Sequence, residues 1–292
     1  MSEGRYAGPV LPLADQIEAI IGQRPARVSP LSGGCIGQVS RIDLPDGRVL
    51  VAKSAGADGT LDVEGTMLRY LAEHSSLPVP DVLSSSKHLL LTRFVPGESR
   101  FDSAAERHAA ELLADLHSVP ADRCGFASDT LIGTLPQPNP WTDSWIEFFR
   151  RHRLLSMASR AREAGAISDQ LAGRIDTLAD RLDELLEEPP HPSLLHGDVW
   201  TTNVLARHGR ISAFIDPSVY YGHPEIELAF ITLFATFGGA FFARYNELRP
   251  IRPGFIERRR DIYNLYPLLV HARLFGGGYA DQVSAALDRL GC

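Results

Sequence analysis

The sequence predicts an α+β fold in two lobes, a small β-rich lobe over residues 1–95 and a larger α-helical lobe over residues 96–292. Three observations carry that expectation. Gln38–Leu44 and Arg48–Ser54 are apolar, β-type runs on either side of Pro45-Asp46-Gly47, a turn signal that makes the pair a hairpin. Pro96-Gly97 punctuates the chain just after the apolar run Leu89–Phe94. Beyond that point the apolar spacing turns helical, and a chain of 292 residues is long enough for each lobe to have its own core.

In order, the first helix read from the pattern is Asp62–His74, with Val63, Met67, Tyr70 and Leu71 on one stripe, ended by Leu77-Pro-Val-Pro. After the lobe boundary, Ser103-Ala-Ala-Glu106 has the form of a capping box ahead of Leu112, Leu113 and Leu116. Trp141–Arg160 and Ser168–Glu188 are two further helices. Ser193–Leu195 and Ile211–Ile215 read as strands around a loop. Pro224 suits the first position of a helix through about Phe237, and Glu257–Phe275 is the last long helix. There is no internal repeat and no low-complexity tract.

Composition excludes several classes of function. A chain 44% hydrophobic and 22% charged is an ordinary globular protein. No window approaches 18 uncharged apolar residues, and the N-terminus lacks a signal-peptide pattern, so a cytoplasmic protein without membrane contact is expected. Cys35, Cys124 and Cys292 are too few and too scattered for a disulfide framework or a zinc site and read as free thiols. A net charge of −7 argues against nucleic acid as a partner, and Arg258-Arg259-Arg260 reads as a solvated helix face. A monomer or weak dimer is expected.

The chemistry-bearing residues form one constellation. Leu31–Val39 holds Gly33 and Gly34 in a loop whose backbone N–H groups can approach an anion; no Gly-Lys-Ser/Thr follows, so it is not a Walker A loop. Lys53 lies on the next strand with Val51 on the same face, and Glu64 lies on the next helix; a Lys–Glu pair so placed holds ATP phosphates in kinases. His196-Gly-Asp-Val-Trp-Thr-Thr-Asn203 has the spacing of a kinase catalytic loop. Asp198 is the candidate base, and His196 orients the loop. The amide oxygen of Asn203 is a hard ligand suited to Mg²⁺, and Asp216, ending the next apolar run, is the expected second ligand. Together these predict an ATP- and Mg²⁺-dependent kinase. Asn139 and Trp141, with Trp145 nearby, and Trp200 with Tyr220-Tyr-Gly-His223 are candidates for an acceptor pocket, since aromatic faces suit a sugar ring and His223 and Asn139 its hydroxyls.

The loop His196–Asn203 resembles the His-Gly-Asp-Leu-Trp-x-x-Asn loop of fructosamine kinases (ketosamine 3-kinases). The resemblance continues through Asp216–His223, Glu225-Ile-Glu-Leu-Ala229, Pro136–Trp141 with Trp145–Phe149, and Ser32–Ile36 with Lys53 and Glu64. It implies a bilobal protein-kinase-like fold similar to aminoglycoside phosphotransferases, and phosphorylation of the 3-hydroxyl of a ketosamine, free or on a glycated lysine, in protein deglycation. By the same carry-over Asp198 is the base, Asn203 and Asp216 bind metal, and Lys53 with Glu64 anchors the phosphates. Thr92–Val95, including Phe94, forms the hinge that meets adenine. Thr201-Thr202 replaces the more usual Ser-Gly, which leaves the identity of the sugar open, and Cys35 in the glycine-rich loop is a candidate redox-sensitive thiol. Two other readings stand beside this one: a kinase of another alcohol, such as an aminoglycoside or choline, and a non-catalytic nucleotide-binding regulator.

Overall fold

The computed structural model describes residues 11–31 and 38–292. Gly33, Gly34 and Cys35 lie outside the described residues. Two compact units account for the chain: one runs to Gly65 and takes in Pro80–Phe94, and the other comprises Thr66–Val79 and Val95–Cys292. Residues 66–79, placed in the small lobe by a cut after residue 95, thus belong to the larger unit.

The first unit contains α1 (Leu13–Ile21), β1 (Arg27–Pro30), β2 (Gln38–Asp43), β3 (Val49–Ser54), the start of α2 (Leu61–His74), β4 (Val82–Ser85) and β5 (Leu89–Arg93). The strands form an antiparallel sheet in the order β1-β2-β3-β5-β4. The β2–β3 hairpin closes as its turn residues require: Gly47 takes φ +85°, its N–H donates to the Leu44 carbonyl, and Asp46 accepts from the Arg48 N–H. Alternation along β3 turns Leu50 and Ala52 into the core and leaves Val51 and Lys53 half-buried on the other face. Ile17 of α1 completes that core with Ile42, Leu44, Leu89 and Leu91. Each such aliphatic side chain contributes about 1.5–3 kcal/mol on burial.

The second unit is mainly helical. Its elements are α3 (Ser103–Leu116), β6 (Thr130–Ile132), β7 (Leu135–Gln137), α4 (Trp145–Phe148), α5 (Ser156–Glu163), α6 (Asp169–Ala179), α7 (Leu182–Leu185), β8 (Ser193–Leu195), β9 (Val204–Arg207), β10 (Arg210–Phe214), β11 (Tyr220–Gly222), α8 (Glu225–Leu233), α9 (Gly239–Leu248), α10 (Arg260–Phe275) and α11 (Tyr279–Leu290). Three short antiparallel ribbons, β6–β7, β9–β10 and β8–β11, are set among the helices. No helix among the described residues is long and apolar enough to cross a membrane.

Several local expectations need correction. The cap of α3 is Asp102, whose Oδ1 accepts from the N–H groups of Ala104 and Ala105; Ser103 is already helical, and Glu106 reaches instead to the N–H groups of Gly238 and Phe241 at the start of α9. The helix expected from Trp141 starts at Trp145, because Ser144 caps it and Glu188 accepts from the N–H groups of Trp145 and Ile146. It then widens into a π-helical segment at Phe149–Leu155 before α5. The expected helix Ser168–Glu188 splits into α6 and α7. The helix after Pro224 stops at Leu233, and Ala235 takes φ +50° before α9 begins. Ser193–Leu195 and the run at 211–215 are strands as expected, but each takes a partner the sequence did not mark: β8 pairs with β11, and β10 with β9. Arg259 is not on a solvated face. It is buried and forms a bidentate pair with Glu225, Nε to Oε2 at 2.6 Å and Nη2 to Oε1 at 2.7 Å.

Candidate active site

Strand β8 ends at Leu195 and delivers His196, Gly197 and Asp198 in sequence. His196 is fully buried, and burial lowers its pKa, so the ring is neutral; its Nδ1 accepts from the Asp198 N–H at 3.3 Å. Gly197 has φ +87°, and a Cβ there would lie 2.1 Å from the Ser218 carbonyl oxygen, so only glycine fits. Its N–H donates to Glu227 Oε1 at 2.6 Å. The loop then turns through a 3₁₀ segment, Thr201–Asn203.

Asn203, itself buried, points its amide back at Asp198. Its Nδ2 donates to Asp198 Oδ2 at 2.9 Å and to the Asp198 carbonyl at 3.0 Å. Both amide protons are thereby committed, and Oδ1, which meets only the Thr202 hydroxyl at 3.5 Å, is the amide atom that could face a cation. Asp216 follows β10 in a left-handed conformation, φ +54°. Two backbone bonds tie its neighbours to the His196–Asn203 loop: Ile215 N–H to the Asn203 carbonyl at 2.9 Å, and Ser218 N–H to the His196 carbonyl at 2.7 Å. Desolvation, and then the charge of Asp216, push the Asp198 carboxyl up to about 8, while the Asn203 hydrogen bond opposes the rise. Two carboxyl groups that repel, beside one amide oxygen, make a hard-oxygen donor set of the kind that suits Mg²⁺. No group of three or more His, Cys, Asp or Glu among the described residues could hold a metal by itself.

In the first unit, Lys53 on β3 pairs with Glu64 on α2, Nζ to Oε1 at 2.6 Å, with both side chains largely buried. Register places Lys53 opposite Val39 and Leu90 in the middle of the sheet. Of the hinge candidates, Thr92 is buried in β5 opposite Val51, and the Phe94 N–H is engaged by the Val49 carbonyl.

The acceptor candidates separate clearly. Trp200 is partly exposed, two residues past Asp198, and packs against Phe234 and His271. Trp141 is 40% exposed and lies against Tyr221 and Arg123. Asn139 is buried, with its oxygen bonded to Arg153 and its nitrogen to Thr130 and Ser128. His223 is buried between Trp145 and Tyr263, and its Nδ1 accepts from the Glu225 N–H at 3.1 Å. Asn139 is therefore committed inward, and so is the Nδ1 of His223.

Two features escape reading by sequence. Glu227 is buried behind the loop, with Oε1 on Gly197 and Oε2 on His117 at 2.8 Å; His117 in turn meets the Tyr245 hydroxyl at 2.7 Å. Burial alone would raise Glu227, but the hydrogen bond and charge of His117 hold it below the usual carboxylate range. Its acidic type within Glu225–Ala229 was the available signal. The second feature is His271 on α10. Its Nδ1 bonds the Pro267 carbonyl at 2.7 Å, which leaves Nε2 as an acceptor among Trp200, Phe234, Phe275 and Tyr279. No local motif marks it.

Known proteins share both the sequence and the fold. The family model for fructosamine kinase matches residues 12–291. A probable ketoamine kinase of Synechocystis is 34% identical over 95% of each chain. The chloroplastic protein-ribulosamine 3-kinase of Oryza sativa subsp. indica is 34% identical over 89% of this chain and 78% of its own. A crystal structure of a candidate fructosamine-3-kinase from Thermobifida fusca superposes with TM-score 0.83 at 30% identity, covering 96% of this chain and 100% of that one. An aminoglycoside phosphotransferase solved with AMP-PNP and hygromycin B has TM-score 0.67 at 20% identity over 96% of both chains, which shows a shared protein-kinase-like fold. On the match across residues 12–291, the chain belongs to the fructosamine kinase family.

Proposed function

We propose that this protein transfers the γ-phosphoryl group of ATP to the 3-hydroxyl of a ketosamine, the fructosamine or ribulosamine adduct of a free amine or of a glycated lysine, and so serves protein deglycation. The observation that carries the reading is the Asp198–Asn203 hydrogen bond, which orients one oxygen of the loop carboxyl and leaves the other to accept a hydroxyl proton once a cation beside Asp216 offsets the repulsion that holds this carboxyl up. Asn203 Oδ1 and Asp216 would hold Mg²⁺, which would supply charge neutralisation for the transferring phosphates. Lys53, steadied by Glu64, binds the phosphates. Trp200 and Trp141 supply aromatic faces toward the sugar, with Trp200 the nearer to Asp198 in sequence. Little covalent chemistry is asked of the protein; its work is positioning and charge stabilisation. The enzyme works in the cytoplasm on a small-molecule or protein-bound adduct, as a monomer or weak dimer.

The test is ATP/Mg²⁺-dependent mass gain on ribuloselysine, fructoselysine, an aminoglycoside and choline in parallel, with Asp198→Asn as control. Gain on a ketosamine, lost in the variant by about 10²–10⁴-fold, is the expected result. Gain only on another alcohol would keep the kinase and overturn the acceptor. ATP binding without transfer to any of the four would remove the ketosamine reading.

A further inference from the structure

Gln137 ends β7 between two prolines, 81 positions before Ser218, and is 1% exposed. Its Nε2 donates to Thr130 Oγ1 at 2.9 Å and to the Ser218 carbonyl at 3.1 Å. Its Oε1 accepts from the Tyr266 hydroxyl of α10 at 2.8 Å. Both donors and the acceptor are therefore used in one orientation of the amide. Pro136 and Pro138 stiffen the backbone that carries it.

The far end of this clamp matters for Asp216. A residue with a side chain persists in the left-handed region at a functional position when its surroundings over-determine it. Ser218 is the pinned point two residues on. Its N–H is held by the His196 carbonyl and its own carbonyl by Gln137, and it is buried. Without Gln137, the buried Ser218 carbonyl loses its side-chain donor, and its peptide gains reason to rotate toward another. The Asp216–Ser218 turn would relax with it.

We propose that Gln137 is a positioning residue that holds Asp216 in its ligand-bearing conformation, so that the β6–β7 hairpin sets affinity for the metal–nucleotide complex. This rests on reading Asp216 as a metal ligand. Nothing in the local sequence signals the link, because hairpin and turn meet only in the fold.

The test is titration calorimetry of Mn²⁺·ATP, and separately of ADP in EDTA, on the full chain. Gln137→Met keeps the shape and deletes all three bonds. The expected result is about tenfold weaker Mn²⁺·ATP binding with metal-free ADP affinity kept within about twofold, and a raised KM for Mg·ATP with an unchanged KM for the acceptor. A lowered melting temperature with Mn²⁺·ATP affinity unchanged would make Gln137 merely structural and overturn the proposal. Asp216→Ala is measured alongside. Unchanged Mn²⁺·ATP affinity in that variant overturns the metal-ligand reading itself, whereas a loss there without a loss in Gln137→Met overturns only the inference. Should Gln137→Met not fold, Tyr266→Phe removes only the bond that orients Oε1. A loss of about threefold in the same direction is then expected, and no change overturns the proposal.

Discussion

Lys53 shows what a single residue contributes. A lysine on an exposed strand face is held only by solvent, but here Glu64 accepts from it at 2.6 Å and both are largely buried. The carboxylate fixes the ammonium in place and compensates its desolvation. Lys53→Met should therefore raise KM for ATP at least about tenfold and lower kcat, while Glu64→Gln, which keeps a neutral acceptor, should give a smaller loss. Initial rates across ATP concentration decide it; equal rates in Lys53→Met would take the phosphate role from that lysine. As candidates, Lys53, Asp198, Asn203 and Asp216 stand out in the sequence because their spacing is local or follows chain order. Glu227 and His117 do not, since the bond between them spans 110 positions and only the fold brings them together. Asn139 and His223 show a different limit of local reading. Their side-chain types suit a sugar, but hydrogen-bond satisfaction in a buried place takes precedence, and both are engaged by neighbouring protein groups.

At the level of elements, the hairpin β2–β3 and helices α2 and α10 follow from apolar period and turn chemistry, which span enough residues to be read. The ribbons β6–β7 and β8–β11 have three-residue strands, too short for alternation to register, and β11 is paired by tertiary context alone. The π-helical segment at Phe149–Leu155 leaves no mark in sequence either; there Arg153 is fully buried over the rings of Phe148 and Tyr220. Helix α3 gives the clearest test of local reading. Because Asp102 rather than Ser103 accepts the free N–H groups, Asp102→Ala should destabilise by about 1 kcal/mol and Ser103→Ala by a few tenths at most. Glu106→Ala should cost more than a lost capping box alone, since it frees two N–H groups at the start of α9. Urea denaturation of the three variants checks the ranking, and a larger loss for Ser103→Ala than for Asp102→Ala would restore the capping box.

Across the whole molecule, folding fixes the charge states of groups spread over many elements, and the sum sets the response to acid. Burial, with the charges of Arg259 and Arg252, lowers His223 to about 3, and burial also lowers His196, His271, His152 and His108. An unfolded histidine titrates near 6.5. Between that value and the lowered one, the unfolded chain binds the extra proton, so this contribution is whole above about 6.5 and shrinks as pH falls. Asp198 acts in the opposite sense. Its folded value of about 8 lies above the ordinary 3.8, so in that interval the folded state binds the extra proton and gains as pH falls, by an amount reduced by its partial exposure. Glu227, held below the ordinary range, loses its contribution only below the usual carboxylate value. Between pH 7 and 5 several histidines therefore oppose one aspartate, and net stability should fall. The two signs can be separated by substitution. His223→Asn keeps an acceptor near the Nδ1 position for the Glu225 N–H and should flatten the acid-side slope by up to about 1.4 kcal/mol per pH unit. Asp198→Asn removes the opposing group and its repulsion with Asp216, so it should melt higher than the parent protein at pH 7 yet lose stability more steeply toward pH 5. Urea unfolding at half-unit steps from pH 7.5 to 5 reads both slopes at once. Parallel slopes for the parent and both variants would mean that neither the buried histidine nor the Asp198 carboxyl sets the acid response.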